Sequence, residues 1–208
     1  MVVAQQENMG NWVMYFGTNK LSDQWSVHTE FQYRNHTLAS FDTEQLLLRA
    51  GVNYHLSQTA FATVGYAFVP SFTFESGQKK PEVIEHRLWQ QFIQISKVAN
   101  VKLEHRYRLE QRWVNAQYRN RFRYRLMAFV PLNKKQNQGK LFLGIYDEIF
   151  INSKNTFFDR NRFYMGLGYQ MSQISTLQVG ILHQQLNNYG KLYFQFSLTV
   201  NPDFRTNK

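Results

Sequence analysis

The stretch from Val101 to Val130 constrains the fold more than any other. Val101, Leu103, His105, Tyr107, Leu109, Gln111 and Trp113 form one series, and Lys102, Glu104, Arg106, Arg108, Glu110 and Arg112 form the other. Successive side chains on a strand point to opposite faces, so this is a strand with one mainly apolar face and one wholly charged face. After a short break at Val114–Gln117 the alternation resumes. Tyr118, Phe122, Tyr124, Leu126, Ala128 and Val130 fall on one side, and Arg119, Arg121, Arg123 and Arg125 on the other. The segment reads as an antiparallel hairpin. If its turn closes in register, Arg112 faces Arg119, Glu110 faces Arg121, Arg108 faces Arg123 and Arg106 faces Arg125. Directly opposed like charges repel, so carboxylates from other strands must join them. Glu148, Glu30 and Glu44 are the candidates.

The same period of two recurs along the chain. Strands are expected at Asn11–Thr18, Trp25–Tyr33, Thr43–His55, Ala60–Val69, Glu85–Lys97, Lys140–Ile151, Arg162–Met171, Thr176–Gln185 and Lys191–Val200, besides the two of the hairpin. Pro70–Ile84 reads as the longest loop, and Pro131–Gly139 and Asn152–Asn161 as further long connections. In the strand from Glu85 to Lys97 either face could be the outer one. The count is eleven. Bacterial single-chain barrels are normally even, which favours twelve strands over ten, the additional one coming from the N-terminal segment.

Alternation does not say which face is inside. A soluble barrel would turn the apolar series inward and the arginines to water. Three features favour the reverse. Strand starts recur every ~19 residues, against the 8–12 typical of soluble sandwiches. The series opposite the apolar one is rich in Gly, Ser, Thr and Gln, which suits a narrow polar interior. Trp12, Trp25, Tyr33, Tyr54, Trp113, Tyr118 and Tyr169 lie near strand ends, where interfacial aromatic girdles form. Eighteen Phe and twelve Tyr in a chain whose mean hydropathy is polar fit a transmembrane β-barrel, in which only alternate residues meet lipid. An arginine facing lipid at the midplane costs roughly 2–4 kcal/mol, so the arginines must face the lumen. The expectation is an all-β, single antiparallel transmembrane barrel of about 12 strands (10–12) with a charged lumen, in the bacterial outer membrane.

Residues 1–10 read as an N-terminal tail or signal-peptide remnant, in which Val2, Val3 and Ala4 resemble a cleavage site before Gln5. The barrel occupies 11–204, and 205–208 form a C-terminal tail. The absence of cysteine excludes disulfides and thiolate metal sites. A net charge of +10 favours anionic partners: the lipid bilayer, lipopolysaccharide or anionic solutes. The arginines alternate along strands and no nucleic-acid-binding motif is present, so no nucleic-acid partner is expected.

The candidate site is a lumen charge network of Glu104, Arg106, Arg108, Glu110, Arg112, Arg119, Arg121, Arg123, Arg125 and Glu148. It can fill and rigidify the barrel, or it can line a narrow anion-preferring, porin-like channel, since arginine pairs bidentately with carboxylate or phosphate. The six histidines are scattered without metal-ligand spacing. A rim-active lipid-modifying enzyme needs a Ser or His–carboxylate constellation. His86 beside Glu85 and Asp147 beside Glu148 are adjacent strand residues that point to opposite faces. No catalytic residue, metal or cofactor is expected. Gly166 and Gly168 fall on the inner face and make room for large lumen side chains.

Several segments carry a resemblance: Asn11–Phe16, Trp25 before a strand ending Tyr33-Arg34, Glu85–Gln91, Arg106–Arg112, Arg121–Arg125, Tyr146–Phe150 and Asn161–Leu167. Together they make the chain similar to an uncharacterised outer-membrane β-barrel family of Bacteroidota, a DUF2490-like domain of unknown function. The resemblance covers nearly the whole chain and implies fold and location. It supplies no activity. The expected role is structural or accessory, in an envelope assembly with other outer-membrane proteins.

Overall fold

A computed structural model describes residues 9–38, 42–75, 78–132, 140–153 and 157–205. The proposed cleavage site at Val2–Ala4 and most of the Pro131–Gly139 connection lie outside these residues. Eleven strands appear in chain order: β1 (Gly10–Lys20), β2 (Trp25–Asn35), β3 (Thr43–His55), β4 (Ala60–Glu75), β5 (Gln78–Val98), β6 (Val101–Val114), β7 (Gln117–Pro131), β8 (Leu141–Asn152), β9 (Phe158–Gln170), β10 (Ser175–Gln185) and β11 (Gly190–Val200). Each pairs with its neighbours in sequence, and β1 pairs with β11 to close the barrel.

An odd number of up-and-down strands cannot close with every neighbouring pair antiparallel. One pair must run parallel, and it is β1 with β11, in register from Gly10–Tyr193 to Gly17–Val200. The twelfth strand expected from the N-terminal segment is not among the described residues, and the parallel pair takes its place in closing the ring. The C-terminal segment extends this seam. Lys20 N–H donates to the Pro202 carbonyl, and Phe204 N–H donates to the Lys20 carbonyl. Arg205 then bonds Asp203 and Asp23 at the rim.

The two ends of the barrel differ. One, here the turn end, carries the short connections at 21–24, 56–59, 99–100 and 171–174, and the other carries those at 115–116 and 186–189. At the other end β4 and β5 continue as a two-stranded ribbon, with Phe72 opposite Pro81 and Glu75 opposite Gln78. The long loop expected at Pro70–Ile84 is therefore mostly strand. Gly77, Lys79, Lys80 and Pro81 gave it the composition of a loop. Likewise β9 begins at Phe158, inside the loop expected at Asn152–Asn161.

The charged hairpin is β6–β7, and its register is the one its sequence implies: Arg106 opposite Arg125, Arg108 opposite Arg123, Glu110 opposite Arg121 and Arg112 opposite Arg119. Its turn is Asn115-Ala116, both at positive φ (46° and 65°). Two positive φ values in a two-residue loop define the hairpin turn whose twist matches its strands. Alanine is strained there and glycine is not. Ala116→Gly is expected to raise the unfolding free energy by about 0.5–1 kcal/mol, read from denaturant midpoints.

Outward side chains are largely apolar and unpacked. Leu48, Leu109 and Leu167 are each about half exposed (49%, 51%, 53%), and Val52, Val64, Leu88, Met165, Ile181 and Leu192 share that surface. Aromatic pairs sit near both ends, Trp25 with Tyr54 at the turn end and Trp113 with Tyr118 at the other. Trp12 departs from the expected girdle. It is 3% exposed and faces the lumen, with Met14 beside it. On β1 it is the apolar series that points inward, because Trp12 packs on Tyr193, Tyr164 and Leu182 across the closing seam. On β5 the inner series is Glu85, Arg87, Trp89, Gln91 and Ile93.

Large inward rings are accommodated by glycines. A side chain at Gly51 or Gly65 would meet the Trp89 ring, and one at Gly168 would meet Phe142. Gly65→Val is expected to cost roughly 1–3 kcal/mol by overpacking, with a shift in tryptophan emission as Trp89 is displaced.

Candidate functional site

The lumen is where the chemistry lies. Besides Arg205 at the turn-end rim, eleven guanidiniums line it: Arg34, Arg49, Arg87, Arg106, Arg108, Arg112, Arg121, Arg123, Arg125, Arg160 and Arg162. They come from β2, β3, β5, β6, β7 and β9, each placed inward by the parity of its strand. Six carboxylates stand among them: Glu30, Glu85, Glu104, Glu110, Glu148 and Asp159.

Glu110 is the centre, 1% exposed. Its Oε2 accepts from Arg121 Nη2 at 2.6 Å and Nε at 2.9 Å, and its Oε1 accepts from Arg123 Nη1 at 2.8 Å. Arg123 also reaches Glu148 Oε1, with Nη2 at 2.8 Å and Nε at 3.1 Å, so it bridges two carboxylates. Arg106 Nη2 donates to the same Glu148 oxygen at 2.7 Å. Arg125 donates to Glu104 at 2.5 Å. Arg87 forks onto Glu85 at 2.6 Å and 2.9 Å, and Arg112 donates to that carboxylate as well.

The network also crosses the barrel. Arg49 of β3 donates to Glu30 of β2 at 2.7 Å and lies 3.8 Å from Glu110 of β6. Strands β3 and β6 are separated in the wall by β4 and β5, so this contact runs through the lumen rather than along the sheet. Aromatic faces hold several of these cations as well. Arg123 lies 4.3 Å from the Phe150 centroid, and Arg49 and Arg108 lie 5.3 Å and 5.0 Å from the Trp89 centroid.

Nine of the ten residues expected from the hairpin and β8 thus share one interior. Arg119 does not. It is exposed beside the turn, where it donates to Gln117 at 3.0 Å. Glu30 joins the network, whereas Glu44 lies 4.0 Å from His36. Sequence reasoning missed Arg34, Arg49, Arg87, Arg160, Arg162, Glu85 and Asp159. Arg34 and Arg49 stand in the inner series of their strands and were findable by parity. Arg87 and Glu85 sit on the strand whose orientation was undecided. Asp159 and Arg160 lay in a segment read as loop. Glu85 and His86 point to opposite faces, with His86 hydrogen-bonded outside to Tyr66, and Asp147 pairs outside with Asn161 while Glu148 lies inside.

A cavity of about 1530 Å³ occupies the rest of the lumen. Its walls include rim residues of the turn end, among them Asp23, Asn100, Gln173 and Asp203. They pass through Phe16, Phe61, Phe129 and Phe142 to the guanidiniums. Among the described residues at the opposite-end turns, Asn115, Phe157, Leu186 and Tyr189 do not line it.

Fold and site define the class: a closed all-β barrel with a buried, arginine-rich interior. Residues 9–195 match the family described as "Protein of unknown function (DUF2490)", and the chain belongs to it. It is also 30% identical over 150 residues to an uncharacterized protein of Methylorubrum extorquens, a match covering 68% of this chain and 63% of that protein's length.

Proposed function

We propose that this chain is a bacterial outer-membrane β-barrel with a closed, charge-filled lumen. It serves as a non-catalytic structural or accessory component of an envelope assembly. The carrying observation is the pairing of Glu110 with Arg121 and Arg123 while Arg49 approaches it from across the lumen. Such a network rigidifies a barrel and blocks it. The apolar outer surface supports insertion in a bilayer, since a continuous apolar belt of this extent is unfavourable in water. Lipid and lipopolysaccharide are then its immediate partners, with other outer-membrane proteins as assembly partners.

One observation favours a second reading, a narrow anion-preferring channel: lumen cations outnumber lumen carboxylates. The two readings separate by conductance, as argued in the Discussion. The location has its own test. The protein is expected to fractionate with outer membranes, to require detergent, and to change gel mobility on boiling. Monodisperse solubility in plain buffer would sink the membrane reading.

A further inference from the structure

The charge balance inside the barrel is incomplete. Among the described residues, the twelve arginines, Lys20 and Lys102 of the lumen and its turn-end rim face eight carboxylates, the six above with Asp23 and Asp203, and counting Glu44 still leaves five cations unmatched. Buried hydrogen-bonding groups show the same imbalance. Nine buried side-chain polar atoms among the described residues lack a partner, and seven of these are N–H donors. A surplus of buried donors and cations is costly unless an acceptor is present, and an ion is one recognised resolution of such a surplus.

Part of the surplus gathers at Trp12, where the cations also lack carboxylate partners. Arg34 and Arg162 stack on its ring, their guanidinium carbons 4.0 Å and 4.8 Å from the centroid, so at most 8.8 Å separates the two carbons. Neither makes an ion pair among the described residues. Arg34 donates only to the neutral amides of Gln32 and Gln45. Arg162 donates through Nε to Gln184 at 2.8 Å, and its two Nη groups have no hydrogen-bond partner among the described residues. Two further donors lie beside them. Trp12 Nε1 and Gln195 Nε2 are both buried without an acceptor, on residues paired across the β1–β11 seam. All four side chains line the lumen cavity.

We infer that Arg34, Arg162, Trp12 and Gln195 form a binding site for a phosphate-type oxyanion, reached from the turn end of the barrel. Donors arrive from four strands, β1, β2, β9 and β11. A tetrahedral oxyanion offers acceptors in several directions, whereas a planar carboxylate offers two oxygens in one plane. Guanidinium forks pair bidentately with phosphate, and the closing seam supplies the remaining N–H groups. The phosphate group is carried either by a free solute or by a lipid headgroup.

The test uses the full chain refolded in detergent. Inorganic phosphate is titrated at constant ionic strength against chloride, with calorimetry and the unfolding midpoint as readouts. Saturable binding is expected, weakened roughly tenfold or more by Arg162→Gln and unchanged by Arg119→Gln. Acetate is expected to bind more weakly than phosphate. If Arg162→Gln does not refold, Arg162→Lys, which keeps the charge and loses the fork, carries the comparison. Phosphorus NMR on protein extracted from membranes separates the sources. A headgroup resonance retained by the native chain and lost in the variant identifies lipid, and binding of free phosphate alone identifies a solute. No saturable binding, equal binding of acetate, or an affinity unmoved by Arg162 substitution would overturn the inference. Fractionation and conductance do not depend on this site, so a membrane-inserted, non-conducting barrel that ignores phosphate overturns this inference alone.

Discussion

Glu110→Gln is expected to lower the unfolding free energy by about 3–5 kcal/mol, the cost of breaking a buried ion pair from one side. The substitution keeps shape and one acceptor but removes the charge on which Arg121 and Arg123 converge at 2.6 Å and 2.8 Å. Arg49 and Arg108, 3.8 Å and 3.9 Å from the same carboxylate, are then left facing like charges with less to offset them. Glu82→Gln is the control. Glu82 is exposed, and its loss should fall within about 0.5 kcal/mol. Combining Glu110→Gln with Arg121→Gln should cost less than the two single changes together, because residues in one network couple. Urea midpoints of the refolded barrel read all of these. Equal midpoints for Glu110→Gln and Glu82→Gln would show that Glu110 does not hold the interior together.

In planar bilayers the unmodified protein should show little or no steady conductance. A ring of eleven strands lies between the small barrels that side chains fill and the porins of sixteen or more strands that hold a water channel. Here the lumen is crossed at mid-height by Glu30–Arg49 and Glu110–Arg123, which approach through Arg49. Replacing all four with Ala removes two cations and two anions, so bulk leaves while net charge is preserved. Glu148 keeps Arg106, Arg121 keeps Asp159 at 3.2 Å, and Arg108, which loses Glu110, keeps its hydrogen bonds to Gln91. The quadruple variant should pass a measurable ionic leak. Steady anion-selective current through the unmodified protein, falling rather than rising in the variant, would replace the closed barrel with the channel reading.

The sequence determined the wall of this molecule. A period of two over Val101–Val130 made β6 and β7 strands, placed every arginine of that hairpin on one side, and set Glu110 opposite Arg121. Parity is a local property, fixed by the strand backbone, and needs no knowledge of the rest of the chain. It also set Arg49 inward and Leu48 outward. Where parity was ambiguous, as on β5, or where a strand projected beyond the wall, as in the β4–β5 ribbon, composition could not replace it. Closure was not local either. Whether eleven strands take a twelfth or join by one parallel pair depends on the register of β1 against β11, residues 183 positions apart, and only the tertiary structure decided it. The same closure turned Trp12 inward against Tyr193 and set Arg34 and Arg162 on its face. Contacts across a lumen join residues that share neither strand nor register, so the partners of each charge followed from the closed ring and from no shorter piece of the chain.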